Sequence, residues 1–228
     1  MLALSNGHDR EILVRVERTA PREDALTAAR ASSLALFREL FPGEILSPGQ
    51  LINLETVTLL VTDLDRPGDL YADLGDARAF AMVREQFLRI DGRVRREGGA
   101  LVKTILEGTL SAFADPAVAV RAALALPGDL AESEATRELR PRVGIHRGPA
   151  MVATLNDHLD YFGTTVSVAV RLPALGKGGQ LVLTRPVAAD PRVASLLEAR
   201  GLTPSIVEVA VEGLADPFVH VLGPADPA

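Results

Sequence analysis

The sequence predicts an α+β fold: a ferredoxin-like βαββαβ core that is extended to a mixed sheet and covered by helices. From residue 57 onwards, apolar segments typical of strands alternate with amphipathic segments typical of helices. Residues 100–113 contain two apolar runs around a Glu-Gly pair, which predicts a tight hairpin between two helical crossovers. A chain of 228 residues, 47% of them apolar, can bury one sizeable core. We therefore expect one main domain.

The first 50 residues differ in pattern, and we expect them to form an N-terminal arm. In residues 11–18, apolar residues alternate with polar ones, which predicts a strand with one buried face. Residues 24–40 have an apolar stripe at helical spacing. Residues 41–50, with two prolines and two glycines, have the composition of a connector. The predicted organisation is an arm over residues 1–50 and a main domain over residues 51–228.

The main domain begins with a strand at residues 57–63 and a long helix at residues 76–96. After the hairpin, Asp115 and Pro116 are typical of a helix start, and we expect this helix to end at residue 126 before a polar loop at residues 127–138. The remaining predicted elements are strands at 142–146, 151–155, 181–184, 206–211 and 218–222, and helices at 165–175 and 186–200.

Composition excludes several classes of function. The net charge is −6 and the chain has no long run of Lys and Arg, which argues against a surface for nucleic acid. No apolar run reaches the roughly 18 residues of a membrane span, and the N-terminus has no signal pattern. The chain has no cysteine, so disulfide and thiolate chemistry are excluded. We expect a cytoplasmic protein with neither a nucleic-acid partner nor a membrane partner.

Two carboxylates occupy strand ends in this pattern. Asp63 ends the first apolar strand, and Glu107 lies at the tip of the predicted hairpin. Acidic groups at the ends of adjacent strands are a common way to hold Mg²⁺ beside the phosphates of a nucleotide. The alternative is that Asp63 caps a turn. His146 is predicted to be a hydrogen-bonded core residue and not a ligand.

Five motifs follow one another in a recognisable order and spacing: LLVTDL ending at Leu64, the hairpin with Lys103 and Glu107, GIHRGP at 144–149, LDYFGTTVSVAVRL at 159–172, and GKGGQLVLT at 176–184. Together they resemble the catalytic domains of class III adenylyl/guanylyl cyclases, and the resemblance covers about residues 57–222. It implies the fold of that family. It also implies active sites that are built across the interface of a dimer.

The resemblance assigns a metal role to Asp63, to the backbone carbonyl of Leu64 and to Glu107, with Mg²⁺ or Mn²⁺ as the cofactor. The family has Asp at the position of Glu107. The additional methylene displaces the carboxylate in a site that needs rigid octahedral geometry, so we expect weakened metal binding.

Lys103 and Asp160 match the family residues that recognise the base, and this donor and acceptor imply adenine. The alternatives are a solvated lysine on an edge strand and a turn residue before Tyr161. The resemblance therefore implies that ATP or a related nucleotide is the ligand.

Other positions depart from the family. Ser167 and Arg171 lie four residues apart on one helix face, where the family has Asn and Arg to stabilise the transferred phosphate. The turn after Asp63 contains Arg66 as a candidate phosphate ligand, but Pro67 has no N–H to offer. Near the C-terminus, Glu212 stands where the family often has a phosphate-binding Lys.

These substitutions imply an adenylyl-type cyclase domain, converting ATP to cyclic AMP and pyrophosphate, with weak or lost activity. The alternative is an inactive pseudo-cyclase that acts as a nucleotide-binding or dimerisation module in signalling. In either case the expected protein partner is a second copy of the chain or a related cyclase domain.

Overall fold

The structure, a computed structural model, describes residues 27–41, 51–155 and 158–223. The predicted strand at residues 11–18 and nearly all of the predicted connector lie outside these residues. No helix in the described part of the chain is long and apolar enough to cross a membrane.

The described residues form eight α-helices and eight β-strands. The helices are α1 (Ala28–Ser32), α2 (Ala35–Leu40), α3 (Pro67–Leu74), α4 (Asp76–Arg96), α5 (Pro116–Ala131), α6 (Thr164–Arg171), α7 (Arg185–Ala188) and α8 (Pro191–Ala199). The strands are β1 (Ile52–Asp63), β2 (Ala100–Ile105), β3 (Gly108–Phe113), β4 (Arg142–Leu155), β5 (His158–Phe162), β6 (Leu181–Thr184), β7 (Ser205–Glu208) and β8 (Phe218–Leu222).

All eight strands belong to one mixed sheet, in the order β2-β3-β1-β4-β6-β8-β7, with β5 pairing with β4. β1 is antiparallel to both of its neighbours, β3 and β4, whereas β4 and β6 are parallel. The predicted α+β class and the strand-helix alternation are confirmed.

β1 contributes to a hydrophobic core on each face of the sheet. Leu60 packs with Ile90 and Phe113 in the core beneath α4, α5 and α8. Its neighbours Leu59 and Val61 belong to the opposite core, which α6 closes. This alternation follows from the two-residue period of a strand, and it leaves β1 without a solvent-exposed face in its central part.

α5 continues for five residues beyond the predicted end and includes Pro127. The reason is a charged contact that the sequence pattern does not reveal. The Asp129 carboxylate accepts two hydrogen bonds from the Arg93 guanidinium, at 2.6 and 2.7 Å, and a third from Arg96 at 3.1 Å. This buried carboxylate attaches the last turn of α5 to α4, so the predicted loop begins later than expected.

β4 is one continuous strand, although two strands separated by Gly148 and Pro149 were predicted. Gly148 allows α6 to pack directly on the strand, because a Cβ atom there would lie 2.6 Å from the Thr165 hydroxyl. That hydroxyl donates a hydrogen bond to the Pro149 carbonyl at 2.5 Å. The Gly-Pro pair therefore marks a close helix contact and not a turn.

Where the structure describes the helix predicted at residues 24–40, from residue 27 onwards, it is two short helices, α1 and α2, separated at Ser33 and Leu34. α1 packs against β1 and α2 against β2, and each helix also forms a hydrogen bond to β5. The Tyr161 hydroxyl donates a hydrogen bond to the Ser32 hydroxyl at 3.0 Å, and the Arg38 guanidinium donates to the Leu159 carbonyl. A single straight helix would not present both side chains to the same strand in this way.

The predicted hairpin is confirmed as β2 and β3, joined at Leu106 and Glu107. Leu106 has a left-handed backbone with φ of 52°. Gly108 begins β3 directly against β1, where a Cβ atom would lie 2.0 Å from the Thr62 carbonyl oxygen. Only glycine permits this approach, which holds the hairpin tip beside the end of β1.

We predict that Gly108→Ala lowers the free energy of unfolding by about 1 to 3 kcal/mol, because the methyl group forces β3 away from β1. The measurement is urea unfolding at neutral pH. The matched control is Gly92→Ala in α4, where no atom beyond the adjacent residues and the local helix backbone lies within 4 Å of the added Cβ. The control should be neutral or stabilising by up to about 1 kcal/mol. Equal effects in the two variants would contradict the close approach.

His146 is a core residue, as the sequence predicts. Its Nδ1 lies 2.8 Å from the Thr184 hydroxyl, and its exposed fraction is 9%. Burial lowers the pKa of His146 from 6.5 to about 4. The ring is therefore neutral in the folded protein at neutral pH.

This pKa predicts a pH dependence of stability. Below about pH 6.5 the unfolded chain binds a proton at His146 that the folded chain does not bind until about pH 4. The contribution of His146 to the free energy of unfolding should therefore be complete above about pH 6.5. As the pH falls from 6.5 to about 4, the free energy of unfolding should decrease by up to about 1.4 kcal/mol per pH unit. In His146→Gln, the free energy of unfolding in urea should depend less on pH between pH 6.5 and pH 4 than it does in the wild type. An unchanged slope in this variant would show that other groups cause the decline.

Candidate active site

The end of β1 and the start of β4 bring an arginine onto the predicted metal ligands. The antiparallel register places Arg142 opposite Asp63. The Arg142 guanidinium donates hydrogen bonds to the Asp63 carboxylate and, at 3.1 Å, to the Leu64 carbonyl oxygen. Its other terminal nitrogen lies 3.4 Å from the Asp65 carboxylate. Asp63 and Leu64 are thus adjacent as expected, and a cation of the protein itself contacts both.

Glu107, the third predicted metal ligand, has other partners. Its backbone carbonyl accepts a hydrogen bond from Gln86 at 3.2 Å. Partial burial raises the pKa of the Tyr71 phenol, and the charge of the Glu107 carboxylate and a hydrogen bond to it raise that pKa further. Within the described ranges, no three Asp, Glu, His or Cys side chains are grouped so that they could hold a metal ion. As arranged, the residues around Asp63 do not fit a divalent metal.

Lys103 on β2 and Asp160 on β5 form an ion pair with 2.6 Å between Nζ and Oδ2. β5 is held against the sheet because Leu159 and Tyr161, on either side of Asp160, are buried in the core that α6 closes. The second Asp160 oxygen accepts a hydrogen bond from the Tyr161 amide at 2.8 Å, which orients the carboxylate. The Lys103 side chain is 39% exposed and that of Asp160 is 17% exposed, so a ligand can reach both.

α6 presents Ser167 and Arg171 on its exposed side. The Arg171 guanidinium donates hydrogen bonds to the Glu212 carbonyl at 3.2 Å and to the Glu212 carboxylate at 3.3 Å. Gly213 permits this contact, because a Cβ atom there would lie 2.5 Å from the Thr164 side chain. The structure therefore places Glu212 against the arginine that the family resemblance assigns to phosphate. A carboxylate in this position reduces the attraction of Arg171 for an anion.

The turn after β1 continues into α3, a helix that the sequence analysis did not predict. Arg66 precedes the helix with a left-handed backbone, φ 49°, and Pro67 occupies the first turn. The Asp69 amide already donates to the Arg66 carbonyl at 3.1 Å. The exposed Arg66 side chain lies 3.8 Å from the Asp69 carboxylate. This turn offers a phosphate few backbone donors.

An open cleft of about 510 Å³ lies beside this turn. The charged residues that line it are Asp65, Arg66, Asp69, Asp73, Glu138 and Arg140. The acidic side chains outnumber the basic ones. The Arg140 guanidinium is also occupied, because it donates to the backbone carbonyls of Arg137 and Leu139 at 2.6 and 3.0 Å. The electrostatics of the cleft therefore oppose the binding of a polyanion.

Sequence reasoning missed Arg142. The signal is a basic residue at the start of a strand that pairs in antiparallel fashion with the strand ending at Asp63. Reading that signal requires the register between β1 and β4, because the two residues are 79 positions apart. Tyr71 was missed for a related reason, since α3 itself was not predicted.

Comparisons with known proteins agree with this architecture. Residues 51–203 match the family model described as "Adenylate and Guanylate cyclase catalytic domain". No curated protein matches the chain.

Several solved structures share the fold. The catalytic core of a rhodopsin-guanylyl cyclase with converted specificity, in complex with ATPαS, is 20% identical with a TM-score of 0.65, over 76% of this chain and 98% of that one. An adenylate cyclase from Trypanosoma brucei is 22% identical with a TM-score of 0.61, over 74% of this chain and 88% of that one. The adenylyl cyclase CyaB from P. aeruginosa is 17% identical with a TM-score of 0.61, over 77% of this chain and 97% of that one.

The sheet order, the five motifs and the match over two thirds of the sequence lead to one assignment. The chain belongs to the adenylate and guanylate cyclase catalytic domain family, the class III nucleotide cyclases.

Proposed function

We propose that this chain is an adenylyl-type cyclase domain that binds ATP or a closely related nucleotide and has weak or lost turnover. The ion pair between Lys103 and Asp160 is the observation that carries the proposal. It places a donor and an acceptor 2.6 Å apart, which suits the ring nitrogen and the amino group at one edge of adenine. Similar structures include a complex with ATPαS and a complex with GTP, so the choice of base rests on this pair.

The groups that would act on the phosphates support weak or lost turnover. Ser167 lacks the amide donor that the family has at this position, and the loss of one such donor typically lowers a rate by about 10² to 10³. Arg171 is paired with Glu212. Since the donors around Asp63 do not fit a divalent metal, the two-metal chemistry of the family is not supported by these residues in their present arrangement.

A second polypeptide would complete the site. The three charged pairs, Lys103 with Asp160, Asp63 with Arg142 and Arg171 with Glu212, are not joined to one another by any hydrogen bond or ion pair of the described residues. A composite site across a homodimer, or across a heterodimer with a related cyclase domain, accounts for this separation. Such an interface should bury well over about 1,000 Å² in total.

We predict that Lys103→Ala weakens the binding of a non-hydrolysable ATP analogue by about tenfold or more, because it removes the charged donor to the base. Calorimetric titration without added metal measures the affinity. Lys177→Ala is the matched control, because Lys177 is an exposed lysine on a loop away from β2 and β5. The affinity of this variant for the ATP analogue should equal that of the wild type. The wild type should prefer the ATP analogue to the GTP analogue.

Tighter binding of the GTP analogue, or an unchanged affinity in Lys103→Ala, would contradict the assignment of the base. Light scattering of the same samples should report a dimer. A monomer at high concentration would remove the basis for a composite site.

The pair between Arg171 and Glu212 favours a second candidate, an inactive module that binds a nucleotide or a partner domain without turnover. The backbone carbonyl and one carboxylate oxygen of Glu212 contact the guanidinium that the family directs at phosphate. A module of this kind has no requirement for a free Arg171.

Glu212→Lys separates the two candidates. The substitution removes the carboxylate that pairs with Arg171 and adds a cation, so the affinity for the ATP analogue should rise by about threefold to tenfold. Glu208→Lys on β7 is the control for charge alone. Glu208 is also exposed, and its substitution changes the net charge by the same amount.

The appearance of cyclic AMP in Glu212→Lys, measured with ATP and Mn²⁺, would identify a weakened enzyme. Tighter binding without any product would support the inactive module. Affinities that are equal in the two Lys variants would show that the contact with Arg171 has no role in binding.

A further inference from the structure

The cation that contacts the predicted metal ligands is Arg142, and its surroundings resemble those of a bound ion. Three oxygen-bearing groups face the guanidinium as acceptors or counter-charges: the Asp63 carboxylate, the Leu64 carbonyl and the Asp65 carboxylate. The Arg142 side chain is only 16% exposed, whereas Asp63 and Asp65 are 36% and 39% exposed. The positive charge therefore lies beneath the acidic groups, with its two terminal nitrogens divided between them.

The fold fixes this position. Arg142 begins β4 opposite Asp63, and the next residue, Val143, donates its amide to the Gln180 carbonyl at 2.9 Å. Buried Pro141 precedes it. The backbone is thus anchored on both sides, and the side chain extends along the end of β1. Because the start of β4 is part of the sheet, the guanidinium can leave the acids only by changing rotamers.

The Arg142 Nε atom gives a second, independent indication that the acidic groups determine the orientation of the guanidinium. It is buried and has no hydrogen-bond partner among the described residues. A buried N–H without a partner is unfavourable. The side chain nevertheless adopts this orientation, in which both terminal nitrogens reach carboxylates. The attraction of Asp63 and Asp65 for the guanidinium therefore determines the orientation.

We propose that Arg142 is the resident cation of this site and excludes a divalent metal ion from it. Two cations within hydrogen-bond distance of the same carboxylate repel each other strongly where solvent is partly excluded. Mg²⁺ also requires about six oxygen ligands in a rigid arrangement. Here Asp63 and Leu64 already serve the guanidinium, and Glu107 lies with Tyr71. Arg142 thus neutralises part of the acidic charge at the end of β1.

The test is Mn²⁺ binding in the absence of nucleotide, measured from the signal of free Mn²⁺ in electron paramagnetic resonance. Arg142→Met keeps the length of the side chain and removes the charge. The wild type should show no saturable binding at millimolar Mn²⁺, and Arg142→Met should gain at least about tenfold in affinity. Adding Asp63→Asn to Arg142→Met should abolish the gain.

Arg185→Met is the matched control. Arg185 also forms a charged pair, with Asp216 at 2.8 Å, so its loss leaves an unpaired carboxylate with the same change in net charge. This variant should gain no Mn²⁺ affinity. A gain equal to that of Arg142→Met would show that the effect is general attraction by a more acidic protein, and would overturn the proposal.

Two other results would overturn it. The first is that the wild type binds Mn²⁺ saturably and as tightly as Arg142→Met does, and that Asp63→Asn abolishes this binding. The second is a folded Arg142→Met that binds no more Mn²⁺ than the wild type. If Arg142→Met does not fold, the guanidinium resonances of the isotope-labelled wild type provide the test. They should be unchanged by millimolar Mg²⁺, and an Asp63-dependent shift of the Arg142 signal would refute exclusion.

The inference does not depend on the proposed nucleotide. The metal titrations contain none, so their failure would leave the base-recognition pair of Lys103 and Asp160 untouched. Conversely, if the ATP analogue did not bind, the proposed function would fail, but the role of Arg142 would still be decided by the Mn²⁺ titrations alone.

Discussion

The pairing of β1 with a strand on each edge is the constraint on which the candidate site depends. The register with β4 brings Arg142 to Asp63, and the glycine contact with β3 brings the hairpin tip to the same end of the sheet. Cores on both faces fix the direction of every side chain of the strand. A slip of one residue would exchange the two faces and move Leu60 out of its core, so the register is strongly specified.

The charges in the site are arranged around the protein's own counter-ions. A guanidinium lies where the family resemblance expects a metal, and the Glu212 carboxylate lies against the arginine that the resemblance directs at phosphate. Each pair satisfies electrostatically a group that would otherwise attract part of a metal-nucleotide complex. A ligand would therefore have to replace existing contacts at both places, and only the difference between new and old contacts would appear as affinity. The exposed pair of Arg171 and Glu212 is the weaker of the two barriers.

The fold was predictable from the sequence to the extent that local patterns determine it. The helix α4 and the strand β6 have the predicted bounds, because periodicity and flanking glycines define them without reference to distant residues. Elements that depend on remote partners were not predicted correctly: the end of α5, held by Arg93 and Asp129, and the continuity of β4 through Gly148.

The candidate site divides in the same way. Motif order alone identified Lys103 and Asp160 as a pair, and the structure places them in contact. Motif order could not identify Arg142, because its role arises from strand pairing across 79 residues. The roles of these residues, the boundary at residue 50 and the cytoplasmic location stay predictions.

The packing of the arm bears on where this domain ends. Residues 27–41 lie outside the segment that matches the family, yet Ser32 and Arg38 hold the strand that carries Asp160, and Phe37 lines an apolar cavity of about 210 Å³ against Leu159. β8, which completes the sheet beside β6, also lies beyond that segment. The limits of sequence similarity are therefore not the mechanical limits of the fold. A protein truncated to residues 51–203 would retain the motifs but lose the contacts of residues 27–41 with β5 and the pairing of β8 with β6.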